Sequence, residues 1–139
     1  MGSKVKFLPI DIPKKRRIAQ RYKIWAVKDG SKSQILDHFD KLSVDEKETI
    51  KSTITKLATK DQFTSRYIKR SLKGVGNKYS EVILLPHRFF YFQCIGEHII
   101  FFSSLIKKVD SLPDSTYRHL RKLNEYYEAE FRRKILKDS

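Results

Sequence analysis

Two runs dense in aromatic and branched apolar residues, Arg88 to Cys94 and His98 to Leu105, are separated by a short connection that contains Gly96. Each is far too short to span a bilayer, and both have the composition of strands, so they pair as a buried hairpin across a tight turn. If Cys94 faces His98 across that turn, Arg88 falls beside Ser104 and close to Lys107 and Lys108. Three cations then gather at one end of the hairpin.

The other elements follow from local patterns. Tyr22, Ile24 and Ala26 alternate with Lys23, Trp25 and Val27 from Arg21 to Lys28, which predicts a first strand bounded by Asp29 and Gly30. Ser33 is placed to cap a short helix carrying Ile35, Leu36 and Phe39. Ser43, Val44, Asp45 and Glu46 spell a capping box, so a second helix starts there, with Ile50, Ile54, Leu57 and Ala58 on its apolar face. The two helices read as a hairpin packed on a sheet. Tyr79 to Leu85 reads as a strand ended by Pro86, and Pro113 with Asp114 opens a last helix striped by Leu120, Leu123, Tyr127 and Phe131. The predicted class is α/β in the α+β sense: an antiparallel sheet of about four strands, an N-terminal helical hairpin and a C-terminal helix.

Charge narrows the partners. Among 139 residues, 30 Lys and Arg stand against 16 Asp and Glu, a formal net charge of +14. Nucleic acid is the polyanion that best relieves such self-repulsion. Residues 1 to 23 hold eight basic residues and only Asp11 as counterweight, with Pro9 and Pro13 and no helical or strand period. Residues 1–20 therefore read as a basic arm and 21–139 as the domain. A second concentration, Arg66, Lys69, Arg70, Lys73 and Lys78, contains no acidic residue between positions 62 and 80. The single cysteine cannot form an internal disulfide and no apolar signal core opens the chain, so a cytoplasmic setting without membrane contact is expected.

Familiar catalytic patterns are missing. There is no glycine-rich phosphate loop, no paired cysteines and no His/Cys cluster at metal spacing, so neither metal nor cofactor is expected. His38 and His119 read as surface or interface groups on helices, and His98 lies at the turn end of the hairpin. His87, beside Pro86 and Arg88, is the histidine of mechanistic interest. Cys94 reads as a buried, inert thiol, and Tyr91 and Tyr127 as core. A basic, aromatic surface of this kind suits RNA, which brings its own nucleophile, the 2′-hydroxyl. The protein then needs only to align the backbone, move protons and stabilise charge on phosphate. The same cations also fit phosphate binding without chemistry.

The series Tyr22-Lys23-Ile24-Trp25, Ile35-Leu36-Asp37-His38-Phe39 with Leu42, and Lys69-Arg70-Ser71-Leu72-Lys73-Gly74 resembles the RelE/HigB toxin superfamily in its phage-derived branch. The pattern continues through Tyr79-Ser80-Glu81-Val82, Arg88-Phe89-Phe90-Tyr91-Phe92, and Ile99-Ile100-Phe101-Phe102 into Ile106-Lys107-Lys108 and Leu112-Pro113. The resemblance implies a RelE-like fold and the toxin component of a type II toxin–antitoxin system. Such a toxin is a ribosome-dependent, metal-independent mRNA endoribonuclease that inhibits translation, held in check by a small helix-turn-helix DNA-binding antitoxin. By the same resemblance Arg88 contacts the phosphate, Lys107 and Lys108 are the basic pair after the last strand, and Glu81 matches a glutamate of the second strand. With His87 these cations make the expected catalytic set: Arg88, Lys107, Lys108 and His87. Lys69, Arg70, Lys73, Lys78, Arg118, Arg121 and Tyr126 make the expected RNA-binding set. One departure stands out: where the branch reads Glu-Leu-Arg, this chain reads Glu81-Val82-Ile83. Two other outcomes are therefore compatible with the pattern, a non-catalytic RNA- or antitoxin-binding protein and a ParE-like inhibitor of a DNA-processing enzyme.

Overall fold

A computed structural model of the chain describes residues 4–13, 19–59, 67–69, 78–107 and 112–137. In chain order the elements are β1 (Val5–Ile10), β2 (Lys23–Asp29), α1 (Gln34–Asp40), α2 (Val44–Thr59), β3 (Ile68–Lys69), β4 (Tyr79–Leu84), β5 (His87–Cys94), β6 (His98–Ile106) and α3 (Asp114–Phe131). A π-helical turn, Arg132–Leu136, closes the chain's last helix. The strands form one sheet in the order β1-β2-β6-β5-β4-β3.

Helix starts form where local chemistry asks for them. The Ser33 hydroxyl accepts from the Leu36 N–H and donates to the Val27 carbonyl, capping α1 and tying it to β2. At α2 the capping box is reciprocal: the Ser43 N–H donates to Glu46 Oε1 at 2.9 Å, and the Glu46 N–H to Ser43 Oγ at 3.2 Å.

The sheet corrects the expected fold. It has six strands rather than four, the shortest being the two-residue β3, and it is mixed: β2 and β6 run parallel, while every other neighbouring pair is antiparallel. Two strands also precede the helical hairpin, so that hairpin is not N-terminal. Of the two extra strands, β1 and β3, the first comes from the segment expected to be an arm. Val5 and Phe7 are buried while Lys6 faces out, a strand alternation masked in sequence by Pro9 and the surrounding cations. Proline is tolerated there because β1 is the edge strand of the sheet among the described residues. The closing turn holds this edge, since Lys134 Nζ donates to the Val5 carbonyl.

Because both faces of the sheet are covered, the protein has three layers and two cores. On one face, α1 and α2 bury Ile35, Leu42, Ile50 and Leu57 against Ile24, Ala26, Val82, Phe89, Tyr91 and Phe101. On the other, α3 buries Leu120, Tyr127 and Phe131 against Phe7, Tyr79, Phe90, Phe92 and Phe102. The β5–β6 register begins as expected, with Cys94 opposite His98, and slips between Phe90 and Tyr91, leaving Phe102 as the extra residue. Arg88 consequently lies opposite Leu105, not Ser104.

Candidate active site

Successive side chains of a strand point to opposite faces, and that rule divides the expected catalytic set. Arg88 lies on the α3 face with Phe90 and Phe92, whereas His87 lies on the α1 face with Phe89. Arg88 is no surface cation: it is 1% exposed, and its Nη1 meets Glu81 Oε1, equally buried, at 3.2 Å. Arg88 is thus buried against a carboxylate of the adjacent strand β4 and does not stand at an exposed cationic end with Lys107, while Lys108 lies outside the described residues. The register also accounts for Ile83. It stands directly opposite Arg88, where a second arginine would set like charges face to face.

On the other face a continuous hydrogen-bonded chain runs from α2 to β6. Glu46 Oε2 lies 2.9 Å from His87 Nε2, His87 Nδ1 lies 3.0 Å from His38 Nε2, and His38 Nδ1 lies 2.8 Å from Ser104 Oγ. A carboxylate can only accept, so His87 Nε2 carries a proton, and when both imidazoles are neutral its Nδ1 accepts from His38. His38 Nδ1 then accepts from the Ser104 hydroxyl. Every member points its donor toward Glu46.

Each link is set by a local device. Glu46 is fixed by the capping box, one oxygen serving the helix and the other the chain. The Ser43 N–H above all, and the His87 contact after it, hold its carboxyl below the usual range. His38 is half-buried against Phe89, their ring centroids 4.6 Å apart. Burial, followed by repulsion from His87 and Lys41, lowers its pKa below the ordinary histidine value. Ser104 follows the register slip, and its backbone is gripped by Gln34: the amide donates to the Ser104 carbonyl at 3.0 Å and accepts from its N–H at 3.4 Å.

The chain borders an open cleft of about 740 Å³. The cleft lies beyond the carboxyl ends of the parallel pair β2 and β6, the place where open α/β sheets leave room for ligands. Its walls carry His38, His87, Ser104 and Tyr127, and the exposed Lys32 and Lys41 stand there alongside the carboxylates of Asp29 and Asp37. The Tyr127 hydroxyl donates to Asp29 Oδ2 at 3.0 Å; burial and that carboxylate push its pKa up, so it stays protonated.

The remaining expected residues are scattered. Lys107 follows β6 and is tied to the His87 end by its N–H, which donates to the Pro86 carbonyl. Lys108, Arg70 and Lys73 lie outside the described residues, and Lys69 belongs to β3 at the far edge of the sheet. Lys78 and Arg121 line a smaller pocket on the other flank of α3, while Arg118 and Tyr126 are exposed on that helix. His98 is buried, accepting from the Trp25 indole at 3.2 Å, and takes no part in the cleft.

Sequence reasoning missed His38, Ser104 and the second duty of Glu46. Each lies far along the chain from His87, and no local pattern reports such a meeting. Among the described residues, no three His, Cys, Asp or Glu side chains are grouped so as to hold a metal ion, and no helix is long and apolar enough to cross a membrane. No protein-family model matches the chain, and no curated protein or solved structure shows significant similarity to it.

Proposed function

We propose that the protein is an RNA-cleaving enzyme that uses the ribose 2′-hydroxyl as nucleophile and the His38–His87 pair to carry protons. The observation that supports this reading is the directed chain from Ser104 to Glu46, opening on a lysine-bearing cleft in a protein of net charge +14. In the substrate complex the 2′-hydroxyl takes the place of the Ser104 hydroxyl at His38 Nδ1 and gives up its proton there. The Nε2 proton of His38 passes to His87, so the positive charge comes to rest beside the Glu46 carboxylate. The 2′-oxygen bonds to phosphorus, the bond from phosphorus to the 5′-oxygen breaks, and the departing oxygen takes a proton from the Lys41 ammonium. Lys32 and Lys41 offset the charge on the phosphate. The products are a 2′,3′-cyclic phosphate and a free 5′-hydroxyl.

The resemblance to ribosome-dependent toxins makes message on translating ribosomes the first substrate to offer, and a helix-turn-helix antitoxin the first partner to seek. Purified protein is incubated in the presence of EDTA with naked RNA and with a translating extract. Wild type yields cyclic-phosphate ends, and His87→Ala lowers the rate by about a hundredfold or more while remaining folded. Equal cutting by the two proteins, or no cutting by wild type, rejects the proposal. A second reading, RNA binding without cleavage, is favoured by the burial of Arg88 on Glu81, which withdraws a phosphate-binding cation from the surface. It predicts binding that weakens steeply with salt and RNA that stays intact.

A further inference from the structure

Besides the histidine chain, the walls of the cleft include Leu123 and Tyr127 of α3 and two carboxylates, Asp29 and Asp37. Asp37 lies in the first turn of α1, where a helix N-terminus favours an acid. Asp29 has no helix to serve. It is exposed at the end of β2, and its backbone is held on two sides, by pairing with Val5 of β1 and by its N–H, which donates to the Lys32 carbonyl at 3.0 Å. Its carboxylate is held as well, since the hydroxyl of Tyr127, a residue of the α3 core, donates to Oδ2 at 3.0 Å. That bond takes one of the roughly four acceptor positions of a carboxylate and leaves capacity for further donors.

A fixed carboxylate in a cleft that receives a polyanion repels the phosphates, so its place is opposite a donor on the ligand. Guanine is the RNA base that offers N–H donors side by side, N1–H and N2–H, on its Watson–Crick edge, and these match the paired oxygens of a carboxylate. Adenine and cytosine set an amino group beside a ring acceptor, and uracil sets its N–H between carbonyls, so each brings an acceptor against the acid. Resting on the RNA-cleaving reading, we infer that Asp29 selects the base: its carboxylate accepts from N1–H and N2–H of the guanine whose ribose brings the 2′-hydroxyl to His38, and the cut falls after guanosine. Leu105 and Leu123, half-buried on the cleft wall, give the base apolar contact.

Binding and cutting are measured separately on the full chain. Guanosine, inosine, adenosine and uridine 3′-monophosphates, which carry no further nucleotide to release, are titrated against wild type and Asp29→Asn; an RNA containing all the bases is then offered to both proteins and its new ends are mapped. Guanosine 3′-monophosphate binds wild type about tenfold or more tighter than the adenosine and uridine compounds, and inosine 3′-monophosphate, which lacks the 2-amino group, falls between. Asp29→Asn keeps an oxygen for Tyr127 but sets an amide N–H against guanine, so the preference disappears while the unfolding midpoint stays near wild type, as suits an exposed position. Cuts by wild type lie after guanosine. Equal binding of the nucleotides, binding of none, a preference that survives Asp29→Asn, or cutting after every base alike overturns the guanine site, even where RNA is cleaved. A guanosine preference lost in Asp29→Asn with RNA left intact supports the base site and overturns the cleavage reading alone. Should Asp29→Asn fail to fold, the ranking of guanosine over inosine by wild type decides.

Discussion

Neighbouring residues of β5 anchor two polar groupings that the fold treats in opposite ways. Toward α3, Arg88 and Glu81 are sealed together, each 1% exposed. Toward α1, His87 keeps 15% of its side chain exposed and Glu46 keeps 32%, and their chain ends at an open cleft. An ion pair shut in a core gains little overall, since lost hydration offsets the attraction, yet removing one partner leaves the other charge stranded. The histidine chain remains within reach of water, so its members can gain and lose protons without dismantling the packing around them. Two adjacent positions thus divide the labour: one fixes the sheet, the other is available for chemistry.

The largest effect expected from this contrast is on the sealed pair. Arg88→Ala or Glu81→Ala lowers stability by about 3–5 kcal/mol in denaturant unfolding, and the double change Arg88→Met with Glu81→Leu recovers most of it. A single Arg88→Ala protein as stable as wild type would erase the contrast. It follows that Arg88→Ala, the obvious way to disable a catalytic arginine, reports on folding and not on cleavage.

Glu46→Gln acts on the other grouping. The amide oxygen still accepts from the Ser43 N–H and keeps the cap, while the charge behind His87 is gone. On the proposed reaction, RNA cleavage is expected to fall by about tenfold, the worth of one charge-assisted hydrogen bond, with the unfolding midpoint nearly unchanged. A large loss of stability with cleavage intact would reverse the assignment of roles.

The smallest effect is on pH dependence. His38 and His98 both have pKa values below the ordinary 6.5, chiefly because burial disfavours their charged forms. Just below 6.5 the unfolded chain therefore binds protons that the folded chain refuses, so stability is lost as pH falls and recovered as it rises. Unfolding midpoints measured between about pH 7 and pH 5.5 show this slope, and His38→Phe reduces it. In the proposed reaction His38 must be unprotonated, so RNA cleavage by wild type is expected to persist somewhat below the pH at which an ordinary histidine would fail. A flat stability profile across that range would place both imidazoles in water.

The elements legible from sequence were those whose cause is local. The capping box at Ser43 and Glu46, the cap at Ser33, the alternation in β2 and the paired runs of β5 and β6 each report themselves within a few residues. Alternation alone also separates His87 from Arg88, and the picture of a shared cationic end overlooked it. The rest depended on distant meetings. Pro9 disguised β1, whose partner β2 lies beyond a further stretch of charge, and the parallel union of β2 with β6 has no local sign. Glu46 was readable as a helix cap, but not as the far end of a chain reaching Ser104.

That parallel union has a further consequence for how the molecule comes into being. Lys23 to Ala26 run beside His98 to Phe101, so the middle of the sheet is stitched between regions synthesised far apart in time. Until β6 emerges, the early strands and the helical pair have no finished surface to settle on, and Ile24, Ala26 and Ile50 stay wet. The search of β2 for so late a companion sets a slow, concerted assembly, and a nascent chain halted at the β5–β6 turn is the form most prone to stick to its neighbours.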